Sequence, residues 1–75
     1  MSDLTKAERN IVPAIKDLAL GHLTNAAEAQ GHAVAALIDG LSGIAAEHFE
    51  RAARLCRMAD ECRRVIRLIE RERGS

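Results

Sequence analysis

The sequence predicts an all-α protein, a small helical bundle of two shorter helices and one long C-terminal amphipathic helix. Apolar residues recur at intervals of three and four almost throughout, and no segment alternates apolar and polar residues as a strand would. The 75 residues suffice for one small domain, 1–75, and 48% of them are hydrophobic, which argues against a disordered chain. The predicted helices cover about residues 4–20, 25–39 and 43–73.

The first predicted helix, about 4–20, has an amphipathic pattern with one sequence feature that opposes it. Its apolar positions follow the spacing of one helix face, and they are Leu4, Ala7, Ile11, Ile15 and Leu18. Thr5 and Glu8 match a capping box, in which a hydroxyl and a carboxylate satisfy free backbone amides of the first turn. Pro13 removes one amide and crowds the carbonyl of Arg9. We therefore expect a kink at Pro13, or a short first turn followed by a helix that begins near it.

The second predicted helix, about 25–39, is separated from the first by a glycine. Gly21 is typical of the residue that follows a helix C-terminus, and Thr24 or Asn25 is suited to cap the next helix. Gly31 lies inside the second helix, where glycine costs about 1 kcal/mol relative to alanine. We therefore expect another part of the protein to pack closely against Gly31.

The sequence DGLSG, residues 39–43, marks the joint before the third helix. Its two glycines indicate a turn, with Ser42 as the cap of the third helix. However, Leu37, Leu41 and Ile44 stay in helical phase across this stretch. A helical hairpin and a bent continuous helix are both compatible with the pattern.

The third predicted helix, about 43–73, carries a seven-residue apolar repeat, which is typical of helices that pack side by side. One position of the repeat reads Ala45, Ala52, Ala59 and Ile66, and the other reads Leu41, His48, Leu55, Cys62 and Ile69. The flanking positions are partly apolar too, so the stripe suits a helix that touches more than one neighbour.

Because so many of the apolar side chains are small, we predict that the bundle is completed by homo-oligomerisation, as a homodimer or a higher oligomer. Fourteen residues are alanine and Phe49 is the single aromatic residue, so a three-helix monomer would bury little area. Pairing of the long helix with a second copy would bury its stripe. The predicted oligomer interface is Ala52, Leu55, Ala59, Cys62, Ile66 and Ile69.

Charge divides the chain into an acidic and a basic part. Residues 1–50 hold three basic and seven acidic residues, a net charge of −4, and residues 51–75 hold eight arginines and four acidic residues, a net charge of +4. Acid-first pairs four residues apart, such as Asp60 with Arg64, are typical of a solvated helix face. The exclusive use of arginine also suits bidentate recognition of carboxylates or phosphates. The candidate anion-binding or partner-binding residues are Arg57, Arg64, Arg67 and Arg71.

Nothing in the sequence predicts catalysis, a metal site or a cofactor. Cys56 and Cys62 are about 120° apart on a helix, so they cannot share a metal or form a disulfide within it. We expect both to be small buried hydrophobic side chains, with an intersubunit disulfide through Cys62 as the alternative. His48 falls among apolar positions and is expected to be structural. The glycine pair in GLSG, residues 40–43, is interpreted as part of a turn, and no phosphate-binding or nucleophile motif is present.

The predicted function is therefore that of a non-enzymatic binding protein, which acts stoichiometrically as a regulator, adaptor or inhibitor of a larger protein. One alternative is nucleic-acid binding through the arginine-rich helix, although net neutrality and the lack of aromatic stacking residues oppose it. Another is an oligomeric binder of a phosphate-bearing small ligand such as a nucleotide. The polar N-terminus has no signal-peptide pattern and no apolar run is long enough to cross a bilayer, so a cytoplasmic protein is expected.

Overall fold

The protein is a helical hairpin of two long α-helices. The computed structural model describes residues 6–74, and the side chains of residues 10–72. Helix α1 spans Lys6–Ile38 and helix α2 spans Ser42–Gly74, and each has 33 residues. The two helices pack against each other and residues 39–41 connect them, so they run antiparallel. Within the described range helices are the only regular elements, which confirms the all-α part of the predicted fold class.

The predicted division into two shorter helices is not confirmed, because α1 continues without a break through residues 21–25. Pro13 lies inside α1, and the helix begins before it rather than at it. Pro13 is exposed while the neighbouring Val12 is buried, so the proline ring occupies the solvent side of the helix. The predicted capping box at Thr5 lies outside the described residues.

The continuity of α1 has a physical reason in its own repeat. Val12, Ala19, Ala26 and Ala33 are buried at intervals of seven residues, and this register holds only if the helix is unbroken across Gly21. Thr24 does not act as a cap, because its hydroxyl donates a 2.9 Å hydrogen bond to the carbonyl of Leu20, one turn earlier.

The joint between the helices is a tight turn closed by backbone hydrogen bonds, as the hairpin interpretation predicts. Gly40 has a φ of +78°, in the left-handed region that glycine tolerates best. The amide of Leu41 donates to the carbonyl of Ala36 at 2.8 Å, and the amide of Gly40 donates to the carbonyl of Leu37 at 3.0 Å. This pair of bonds is the Schellman arrangement that ends many helices.

The start of α2 corrects one detail of the sequence interpretation. The carbonyl of Leu41 accepts a hydrogen bond from the amide of Ala45 at 3.0 Å, so Leu41 occupies the capping position. Ser42, the predicted cap, is the first helical residue.

The core of the hairpin is a line of alanines, which we call the alanine seam. Its members are Ala19, Ala26, Ala29, Ala33 and Ala36 of α1, and Ala45, Ala52 and Ala59 of α2. Val12 and Ile66 extend the buried line toward the open end of the hairpin. Small side chains at the contact let two helix backbones approach closely. Of the two series predicted for the third helix, the one from Ala45 to Ile66 is buried in α2, whereas the other is half-buried from His48 to Ile69 and begins with Leu41, which is exposed and precedes the helix. A second buried seven-residue repeat lies in α1.

The hairpin is long and thin for its mass. Its radius of gyration is 17.3 Å, whereas a compact globule of its length would have one of about 11 Å. The principal extents are 61 × 19 × 12 Å, so the molecule is a single layer of two helices. Each helix therefore touches one neighbour and leaves most of its circumference uncovered.

Candidate functional site

Most of the large apolar side chains lie outside the alanine seam. Among the described side chains, none larger than alanine is fully buried, and twelve large hydrophobic ones are between 42% and 80% exposed. They are Ile11, Leu18, Leu20, Val34, Leu37, Ile38, Leu41, Ile44, Phe49, Met58, Val65 and Leu68. The hairpin therefore presents apolar surface to its surroundings along its length.

Two grooves lie near the open end of the hairpin, on opposite sides of the seam. Leu18 and Leu20 flank the buried Ala19 in sequence, and Val65 and Arg67 flank the buried Ile66. Because each residue of a helix is turned by about 100° from the last, the two neighbours of a buried residue point to opposite sides. One side of the hairpin receives Leu18 and Val65, and the other receives Leu20 and Arg67.

The first groove, which we call the apolar groove, has a volume of about 310 Å³. It is lined by Ile15, Leu18, His22, Met58, Glu61, Cys62 and Val65. No lysine or arginine contributes to this lining, and Glu61 is its one acidic member. A surface with few charges and flexible side chains such as Met58 suits contact with another apolar surface.

The second groove, which we call the basic groove, has a volume of about 450 Å³. Its lining consists of Lys16, Ala19, Leu20, Leu23, Arg63, Ile66 and Arg67. The floor is aliphatic, while one cation of α1 and two of α2 border it. Arg63 Nη1 lies 3.6 Å from Asp60 Oδ1, an exposed pair that is worth little in water. The predicted partner of Asp60 was Arg64, and the structure places Arg63 there instead.

The four arginines predicted to bind an anion or a partner do not form one cluster. All four are exposed, and Arg57, Arg64 and Arg71 follow one another at seven-residue intervals along the outer surface of α2. Arg67 alone among them lines the basic groove. The sequence reasoning missed Lys16 and Arg63 as members of a site. If α1 had been predicted as one unbroken helix with its own alanine repeat, pairing that repeat with the repeat of α2 would have placed Lys16 beside Arg63 and Arg67.

The six residues predicted for the oligomer interface divide into two groups. Ala52, Ala59 and Ile66 are buried in the seam against α1, within one chain. The other three, Leu55, Cys62 and Ile69, are half-buried. These three remain open to a further neighbour, and Cys62 lines the apolar groove.

The cysteines, His22 and His48 are half-buried, whereas His32 is exposed. Cys56 and Cys62 are free thiols and half-buried. His48 is half-buried, and its ring centroid lies 5.5 Å from that of His32 on the facing helix. Within the described part of the chain, no group of three or more histidine, cysteine or acidic side chains is arranged to hold a metal ion.

The comparisons with known proteins add no relative. No family model, no curated protein and no solved structure matches the chain. Neither helix, over the residues that the structure describes, combines the length and the apolar character that a membrane crossing requires. The features of this structure that are suited to binding are the two grooves and the outer arginine row, which consists of Arg57, Arg64 and Arg71.

Proposed function

We propose that this chain is a non-enzymatic, cytoplasmic helical binding protein whose working form is a homo-oligomer of hairpins. In that form it acts stoichiometrically on a larger protein, as a regulator, adaptor or inhibitor. The observation that carries the proposal is the arrangement of its apolar residues, with alanines inside the hairpin and twelve large side chains exposed. A hairpin with this distribution gains hydrophobic stabilisation mainly by association.

The total surface area that the hairpin exposes to solvent also supports association. A compact monomer of 8.2 kDa exposes about 4,500 Å², whereas one hairpin exposes 5807 Å². The excess of about 1,300 Å² exceeds the roughly 800 Å² that each partner contributes to a standard stable interface. A second copy in a standard interface along one side of the hairpin would cover more than half of this excess.

The apolar groove is the side that we assign to the second copy. A two-fold axis brings the same surface patch of both chains together, so like charges on that patch oppose each other. A two-fold axis at the basic groove would place Lys16, Arg63 and Arg67 of one copy against the same three cations of the other, and this repulsion would weaken the association of the two copies. The apolar groove would bring together Leu18, Met58 and Val65 of both copies, and Glu61, which is exposed in one hairpin, is the only carboxylate in its lining.

The test is the mass in solution of variants that charge one side or the other. Leu18→Glu and Met58→Glu add a carboxylate to the apolar groove at positions that are exposed within one hairpin. We expect sedimentation velocity to show an oligomer for the unmodified chain and an 8.2 kDa monomer for each variant at the same concentration. Leu20→Glu, the matched control on the basic groove, is expected to leave the oligomer intact. Equal masses for all four proteins would refute the assignment.

The outer arginine row favours a second candidate, binding of nucleic acid. Arg57, Arg64 and Arg71 are exposed and spaced about 10.5 Å apart along α2, and they lie away from both grooves. Such binding would be electrostatic, with retention on DNA or RNA that falls steeply as salt rises. Loss of retention in an Arg57→Glu, Arg64→Glu double variant would support it, and absence of retention at low salt would eliminate it.

A further inference from the structure

The basic groove combines an aliphatic floor with cations on both of its edges. Leu20 and Leu23 lie on successive turns of α1, and Ile66 of α2 faces them. Lys16 borders the groove on the α1 side, and Arg63 and Arg67 border it on the α2 side. An occupant therefore meets apolar contact in the middle and positive charge on both flanks.

The shape of the groove favours a helix as the occupant. It runs between two antiparallel helices that lie side by side, where a third helix packs its side chains between those of both neighbours. The described chain offers no strand edge to which an extended peptide could add. A helix in this position presents one apolar stripe to the floor and its two flanking rows to the cations, as in a coiled coil.

From these observations we propose that the basic groove docks an acidic amphipathic helix of the partner protein. The partner helix carries leucine-like residues at intervals of three and four, with glutamate or aspartate on both sides of that stripe. Charge complementarity selects this occupant over a second copy, since a two-fold axis through the groove would bring Lys16, Arg63 and Arg67 of both chains together. The inference rests on the proposed function, because it names the class of partner that the binding protein takes.

A fluorescent designed peptide of about three heptads, with a leucine stripe flanked by glutamates, probes the groove. We expect its fluorescence anisotropy to rise saturably with the full-length protein and the affinity to fall as salt screens the charges. A peptide with the same leucines and lysine in place of every glutamate is expected not to bind. Equal binding of the two peptides would overturn the proposal.

Variants of the protein locate the binding surface. Lys16→Glu and Arg67→Glu turn attraction into repulsion and are each expected to weaken peptide binding about fivefold to tenfold. Arg64→Glu makes the same charge change on the outer surface of α2 and is the matched control, expected to leave the affinity unchanged. Equal affinities for Arg67→Glu and Arg64→Glu would contradict the site.

Two further outcomes separate this inference from the proposed function. If Leu20→Glu converts an oligomer to a monomer, the groove belongs to a second copy and the inference fails while self-association stands. If the unmodified chain is a monomer that still binds the acidic peptide in an Arg67-dependent way, the inference stands and self-association fails. Capture by phosphatidylglycerol vesicles with no binding of the peptide would also overturn the inference.

Discussion

Gly40 and Gly31 differ in whether glycine is needed, because Gly40 has a left-handed backbone conformation and Gly31 has a helical one. Gly40 has a φ of +78° and ends α1, so a side chain there would be strained. Gly31 is helical and exposed, and apart from the backbone of its own helical turns and its two chain neighbours no atom lies within 4 Å of the place where a Cβ would lie. The close neighbour expected at Gly31 is therefore absent, and glycine there brings only its entropic cost.

We predict that alanine at these two positions changes stability in opposite directions. Gly31→Ala is expected to raise the free energy of unfolding by about 0.5–1 kcal/mol, because alanine restricts the unfolded chain and favours the helix. Gly40→Ala is expected to lower it by about 1 kcal/mol or more, through strain in the turn. Thermal unfolding followed by circular dichroism at one fixed concentration measures both. A stabilising Gly40→Ala would contradict the geometry of the turn.

At the scale of the elements, the alanine seam sets how closely the two helices approach. Ala33 and Ala59 are 0% exposed, and Ala26, Ala29 and Ala52 form a buried cluster that Leu55 and Cys56 pack against. A larger side chain on the seam has no free volume to occupy and must push the helices apart.

We therefore predict that Ala59→Leu destabilises the hairpin although it adds apolar surface. Overpacking of this kind costs about 1–3 kcal/mol, and the melting temperature should fall accordingly. Ala53→Leu, an exposed position on the same helix, is the matched control and should change stability by less than about 0.5 kcal/mol. Greater stability of Ala59→Leu than of the unmodified chain would show that the helices are not in close contact at the seam.

The extent of α2 was predicted correctly from the sequence, whereas α1 was wrongly divided into two helices. The reason is that α1 contains residues that resemble a helix end. In α2 the repeat Ala45, Ala52, Ala59 and Ile66 has no competing feature, and all four residues are buried as the pattern predicts. In α1 the residues Gly21, Thr24 and Asn25 resemble a helix end, because local capping preferences do not include the seam that forms with α2. The buried series Val12, Ala19, Ala26 and Ala33 was present in the sequence as a second seven-residue repeat.

The candidate site was only partly predictable for the same reason. Arg67 belongs to the basic groove as part of the predicted arginine set, but Lys16 reaches that groove only through the pairing of α1 with α2. The apolar groove likewise joins Leu18 of α1 to Met58 and Val65 of α2. Residues far apart in sequence form each site, and their pairing depends on the position of the turn at Gly40.

At the scale of the whole molecule, a single hairpin is a two-helix layer with apolar surface on both sides. In our proposal the apolar groove binds a second copy and the basic groove binds an acidic partner helix. This division predicts that charge introduced at Leu18 affects assembly, whereas charge introduced at Arg67 affects partner binding. The alanine seam holds the hairpin together, and in the proposed assembly the exposed leucines, methionine and valine would supply the contacts between copies.

The most direct test of this account is to measure the melting temperature of the unmodified chain across a thousandfold range of protein concentration. If association supplies the hydrophobic stabilisation that one hairpin lacks, the melting temperature must rise with concentration, because dilution favours dissociated chains. We predict such a rise, together with a mass above 8.2 kDa at the upper end of the range. A cooperative transition at one unchanging temperature, from an 8.2 kDa particle throughout, would contradict the account.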